Sequence, residues 1–295
     1  MREEIRKIQS MMESAEYVTD APVATSVHLA LQLKKPLLIE GHAGVGKTEV
    51  AKVMARVLGT NLIRLQCYEG LDASTALYEW NYPKQLLHIK LGESSTKAVT
   101  DKEHEIFSED FLLRRPLLQA ISQPQAPVLL IDEIDRADQE FEAFMLEIFS
   151  EWQVTIPELG TIKATHPPHV ILTSNRTREL SDALRRRCLY LWIDYPPFDK
   201  ELRIVERKVP GINARLAGEI ARFMESLRRV RLAKVPGVAE TLDWAQALAG
   251  LHAEYLDEEI VAETLGCILK DVDDIKRFRA EVGKSGLAPF LQVPG

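Results

Sequence analysis

Nothing in this 295-residue sequence reads as a membrane span, because no apolar run approaches the roughly 18 residues that a bilayer-crossing helix needs. The opening stretch, MREEIRKIQSMMESAEYVTD, is charged throughout and lacks the apolar segment of a secretory leader, which points to a cytoplasmic protein. Cysteine is scarce. Cys67, Cys188 and Cys267 stand far apart with no CxxC pair, which argues against a disulfide framework or a structural zinc site. His166 and His169 are three apart in HPPH, but the intervening prolines exclude a helix that would align them, so the segment reads as a solvated loop. A basic excess is also lacking. The net charge of −7 disfavours a broad nucleic-acid-binding surface and leaves room only for a local one. Internal repeats and low-complexity segments are absent.

What is present is an ordinary globular mix, 46% hydrophobic and 27% charged, long enough for one large domain or two ordinary ones. The charge is uneven: residues 200–234 carry ten Lys/Arg against four Asp/Glu, and 240–281 carry eleven acids against four bases. Solvated helix faces account for this pattern, and opposite-sign faces that meet each other are the sharper alternative.

Short apolar runs alternate with helical patterns. PLLIE (36–40), NLIRLQC (61–67), PVLLIDEID (127–135), HVILTSN (169–175) and CLYLWIDYP (188–196) read as strands, and TEVAKVMARVLG (48–59) as a helix stopped by Gly59. Such apolar strands predict an α/β fold, a parallel sheet with helices on both faces and reactive residues at the strands' carboxyl ends. After Pro196-Pro197 only helical segments follow. The sequence therefore predicts a nucleotide-binding core over 1–197 and a small all-helical domain over 198–295.

Four elements carry chemistry. Gly41-His42-Ala43-Gly44-Val45-Gly46-Lys47-Thr48 fits the phosphate-loop pattern G-x-x-x-x-G-K-[ST] between a strand and a helix. Its backbone N–H groups and the helix N-terminus suit phosphate oxygens, with Lys47 reaching the β- and γ-phosphates and Thr48 a Mg²⁺ ligand. The guanine-reading Asn-Lys-x-Asp is absent, so ATP is the expected nucleotide. VLLIDEID then delivers Asp132 to Mg²⁺ and Glu133 to polarise the attacking water. VILTSN ends in Asn175, an amide suited to orienting that water. Finally, SDALRRRC sets Arg185, Arg186 and Arg187 before a strand, where a guanidinium can serve a neighbouring subunit's γ-phosphate.

In this order the elements resemble the AAA+ ATPases. The resemblance implies that the arginine just before the cysteine, Arg187, is the finger, with Arg186 and Arg185 ranked behind it, and that subunits form a ring, a hexamer in AAA+ relatives. IDEIDRAD and the segment EIFSEWQVTIPELGTIKATHPPHVILTSN resemble the MoxR group, with a β-turn-β insert near 151–168. Residues 68–91 and RRRCLYLWIDYPP are similar to its CoxD branch, maturation factors for carbon monoxide dehydrogenase. That resemblance implies a chaperone that remodels clients or assists metal-cofactor insertion, with a von Willebrand factor A domain partner. One departure stands out: in PGVAETLDWAQAL, Thr241 occupies the place of the family's lid arginine, which puts a lid contact to the γ-phosphate in doubt.

Tyr78, Trp80 and Tyr82 gather near Lys84, either as an exposed grip for a client or partner or as packing inside the domain. Two other classes compete with the chaperone reading. A DNA-directed motor or loader could use the aromatic loop and the arginines of 222–234. A nucleotide-gated switch with little turnover would not need Glu133.

Overall fold

The computed structural model describes residues 2–91 and 105–291. A five-stranded sheet is built from β1 (Leu37–Gly41), β2 (Leu62–Gln66), β5 (Val128–Asp132), β8 (His169–Ser174) and β9 (Leu189–Ile193), in the order β2-β5-β8-β1-β9. The β2–β5, β5–β8 and β1–β8 pairs are parallel. Position in the sheet explains the sequence of each strand. The central strands β1 and β5 are buried at every residue, as continuous apolar runs require when both faces are covered. The edge strands alternate: in β2 Arg64 is exposed between Ile63 and Leu65, and in β9 Tyr190 and Trp192 are exposed around buried Leu191. The chain is thus an α/β P-loop fold with a parallel sheet, flanking helices and an added helical region.

Two small antiparallel pairs decorate the sheet. Gln153–Ile156 (β6) and Gly160–Lys163 (β7) form a hairpin closed by Pro157, Glu158 and Leu159, with Gly160 at φ +83° supplying the left-handed residue that such a turn needs. Tyr78–Trp80 (β3) pairs with Leu112–Arg114 (β4). This second pair sets where the three aromatics lie. Trp80 is only 7% exposed and packs edge-on to Phe107 at 5.2 Å, and Tyr78 is half-buried. Of the three aromatics only Tyr82, 60% exposed at the start of the helix Tyr82–Leu91, faces solvent.

The chain divides into two compact units, one of Met1–Ile8, Ala21–Glu40 and Val50–Leu191, the other of Gln9–Asp20, Gly41–Glu49 and Trp192–Gly295. In the second unit, the helices Phe198–Lys208, Ala214–Leu227, Val238–Gly250, Glu258–Thr264 and Val272–Ser285 enclose Phe223, Trp244, Phe278 and Phe290. Asn213, Asp257 and Asp271 cap three of these helices through side-chain oxygens. The helix Glu258–Thr264 is followed by a 3₁₀ turn through Gly266, a poor helix former. Among the described residues, no helix is long and apolar enough to cross a membrane.

Candidate nucleotide site

The phosphate loop belongs to the second unit. Strand β1 runs directly into it, and the helix Lys47–Leu58 leaves it. Gly44 and Gly46 adopt φ of +74° and +92°, a region that L side chains rarely enter, which turns successive backbone N–H groups inward. The glycines are required for different reasons. A Cβ on Gly46 would meet open space, so the need there is conformational, whereas a Cβ on Gly41 would collide with the Ile193 carbonyl oxygen. Lys47 is buried, and its Nζ donates to the carbonyls of Gly41 at 2.8 Å and His42 at 2.6 Å. An ammonium held over a loop of converging N–H groups is a donor set for a polyphosphate, so the residues present fit ATP. Within the same unit, Val238 and Ala239, opening the helix Val238–Gly250, donate their N–H groups to Gly44 O at 2.9 and 3.2 Å.

The acidic strand end belongs to the first unit. Asp132 terminates β5, and its carboxylate accepts from Arg64 Nε at 3.0 Å, Arg64 Nη2 at 2.6 Å and Thr173 Oγ1 at 2.5 Å. The same Thr173 hydroxyl accepts Glu133 N at 2.9 Å. Glu133 sits at φ 56°, an uncommon conformation for a non-glycine residue and one that clusters at functional sites. Its Oε2 accepts from Gln66 Nε2 at 3.2 Å and Arg136 Nη1 at 3.3 Å. The carboxylate of Asp132 is a hard oxygen donor, the type that Mg²⁺ takes.

Asp135 was not singled out by the sequence pattern, yet it builds the next part of the site. Buried, it accepts from Asn175 N at 3.2 Å, Thr177 N at 2.8 Å and Thr177 Oγ1 at 2.7 Å, fixing the turn that carries Asn175. Its spacing, three residues after Asp132, was the available signal. The crowd of carboxylates has an electrostatic consequence for Cys67, whose backbone N–H donates to Asp132 O. Burial first, then Asp132, Asp135 and Glu133, push its thiol pKa up to about 12.

The three arginines do not act together. Ser181 caps their helix, Asp182–Arg187. Arg185 turns to buried Glu40 at 3.0 Å, a carboxylate that Tyr190 Oη also reaches at 3.1 Å. Arg187 donates to Leu146 O at 2.6 Å and to Ser150 Oγ, which ties it to the helix Gln139–Glu151 of its own chain. The Arg186 side chain is exposed and makes no hydrogen bond or ion pair among the described residues. The basic stretch 222–234 is only partly a free surface. Arg228 is 7% exposed and paired with Glu201, Arg222 lies over the Phe198 ring at 5.2 Å, and Arg229 pairs with Glu225. Thr241 is fully buried and donates to Glu201 Oε1 at 2.7 Å.

A glycine loop between strand and helix, followed in the parallel sheet by an Asp-Glu strand end and an Asn strand end, defines a P-loop nucleotide-binding protein. The AAA domain family (dynein-related subfamily) matches residues 36–188, just over half the chain, and the chain belongs to that family. Uncharacterised proteins of Staphylococcus aureus strains NCTC 8325 and COL are each 24% identical over 216 residues, covering 71% of this chain and 74% of the relative. Among solved structures, a single-residue mutant of Thermotoga maritima RuvB shares the fold at 18% identity and TM-score 0.53, covering 95% of this chain and 80% of that one. A second RuvB mutant gives 17% identity, coverage of 99% and 79%, and TM-score 0.50. A further structure, at 18% identity, coverage of 92% and 76% and TM-score 0.48, is described as the RuvB Holliday junction branch migration motor.

Proposed function

We propose that this chain is an ATP-hydrolysing AAA+ motor. The observation that carries the reading is the phosphate loop, with two left-handed glycines and the Lys47 ammonium drawn over them. In this reading the loop N–H groups and Lys47 bind the β- and γ-phosphates. Thr48 and Asp132 are the Mg²⁺ ligands, and the ion neutralises phosphate charge when bound. Glu133 accepts the proton of the attacking water and Asn175, on the turn fixed by Asp135, orients that water. A neighbouring subunit in a ring, a hexamer by the AAA+ resemblance, supplies an arginine. Arg186 is the better candidate than Arg187, because Arg187 would first have to leave Leu146 and Ser150. Replacing Glu133 with Gln should leave ATP binding intact and slow hydrolysis by roughly 10²–10⁴; undiminished biological activity of that variant would instead indicate a nucleotide-gated switch.

What the motor acts on has two readings. The likeness to RuvB favours a DNA-directed motor or loader. The surface that tracks DNA would then exclude Trp80 and Arg228, and exposed Arg231 and Lys234 remain available. The MoxR-type reading, a protein client or a metal-cofactor maturation step with a von Willebrand factor A domain partner, is supported by the resemblance of residues 131–138, 147–175 and 68–91. Steady-state ATPase rates with and without duplex and junction DNA separate them. A DNA-directed motor is stimulated at about 50 mM salt and loses most of the stimulation by about 200 mM. A rate indifferent to DNA at both salt concentrations favours the protein client.

A further inference from the structure

Thr241 stands where the family resemblance places a lid arginine, yet an arginine of the same helical unit does reach the phosphate loop by another route. Glu201 is inaccessible to solvent, and its carboxylate takes the Arg228 guanidinium in a fork, Nη1 at 2.5 Å and Nη2 at 2.7 Å. Arg228 Nε donates to Pro236 O at 2.9 Å, and Nη2 also reaches Thr241 Oγ1 at 3.2 Å. Four of its five N–H donors are so engaged, and the face of the planar cation remains open to a ring. The cation lies over the Tyr195 ring, 4.9 Å from the centroid. The Tyr195 ring in turn stacks on the imidazole of His42, 4.7 Å away and tilted by 7°. His42 is the second residue of the phosphate loop, and its carbonyl is one of the two that hold Lys47 Nζ.

We infer that Arg228 is a positioning residue for the phosphate loop, acting through Tyr195 and His42 on Lys47, an inference that rests on the ATPase reading above. A guanidinium held by its edge in a buried fork cannot follow a moving ring, so the stack fixes the ring and the ring fixes His42. Trp192 packs edge-on against the same imidazole at 5.6 Å, which limits its escape on a second side. The Glu201–Arg228 pair also explains Thr241: a hydroxyl at that position completes the carboxylate's shell, where an arginine would bring a second cation to Glu201. A displacement of Arg228 therefore reaches Lys47 along a chain of packed planes within one unit.

The test is Tyr195→Leu in the full chain, with Tyr195→Phe as the conservative variant that keeps the ring. The readouts are kcat and KM for MgATP, the ADP dissociation constant by calorimetry, and the melting temperature. A misplaced Lys47 lowers kcat roughly 10-fold in Tyr195→Leu while ADP affinity stays within about 3-fold, and Tyr195→Phe recovers most of the loss. A fall in melting temperature with kcat unchanged would make the stack merely structural and overturn the inference. Equal losses in Phe and Leu would also overturn it, by assigning the effect to the hydroxyl. If Tyr195→Leu does not fold, His42→Ala removes the other ring without touching the Arg228–Glu201 pair; the same drop in kcat supports the inference and an unchanged kcat ends it. A wild-type protein that hydrolyses no ATP removes the ATPase reading and this inference together, whereas an active wild type with equally active variants removes only the inference.

Discussion

Replacing Gly237 with alanine isolates the contact between the helix Val238–Gly250 and the phosphate loop. The backbone there has φ −90° and ψ −168°, open to alanine, so the substitution adds no conformational strain. Its cost is steric. The new Cβ would stand 2.7 Å from Ala43 O and 2.8 Å from both Gly44 C and Gly44 Cα, all backbone atoms that cannot rotate aside. Relief to normal contact needs a shift of roughly 0.7 Å or more. The groups that must give way are the N–H donors of Val238 and Ala239 on Gly44 O, at 2.9 and 3.2 Å. At about 0.5–1.5 kcal/mol net for each bond, the loss is about 1–3 kcal/mol. The poorer helix cap, up to about 1 kcal/mol, and the lower entropy of the unfolded alanine chain, of similar size and opposite sign, offset each other. Differential scanning calorimetry should therefore show the melting temperature falling by roughly 2–10 °C. Nucleotide titration of the same variant should show weaker binding, since Gly44 lies in the loop that takes the phosphates. A melting temperature within roughly 1 °C of wild type, with unchanged affinity, would refute the close approach.

Two further outcomes follow from burial and charge. Burial pushes the thiol pKa values of Cys67 and Cys188 from 9.0 up to about 12, with nearby carboxylates adding to the effect at Cys67. Both thiols stay neutral in the folded protein while the unfolded chain ionises. The stability they confer is thus full below pH 9.0 and is lost as the pH rises through about 12. Denaturant titrations should show that decline flattened in the Cys67→Ala, Cys188→Ala double variant. Among the aromatics, Trp80→Ala should cost about 3–5 kcal/mol in denaturant unfolding and Tyr82→Ala less than about 0.5 kcal/mol. Equal costs would contradict the burial of Trp80 between β3 and its neighbours.

The parts of this fold that are legible in the sequence are those with local causes. Continuous apolar runs marked β1, β5 and β8 because those strands are covered on both faces. The β3–β4 pair was hidden: each strand has three residues, and the pairing of Tyr78 with Arg114 spans 36 residues. The same distance hid the polar network. Asp135 meets Asn175 across 40 positions and Arg228 meets Glu201 across 27, so one read as part of an acidic run and the other as part of a basic surface. The arginine turn could have been read further. Consecutive residues on a helix diverge by about 100°, so Arg185, Arg186 and Arg187 could not share one target.

The measurement that tests the account most directly is the ATPase rate per subunit against protein concentration, for wild type, Arg186→Ala and Arg187→Ala. The account predicts a rate that climbs with concentration in the wild type and falls by about 10³ or more in Arg186→Ala while ATP still binds. A rate that is flat with concentration and indifferent to either arginine would mean that each protomer works alone, and would contradict a site completed by a neighbouring subunit.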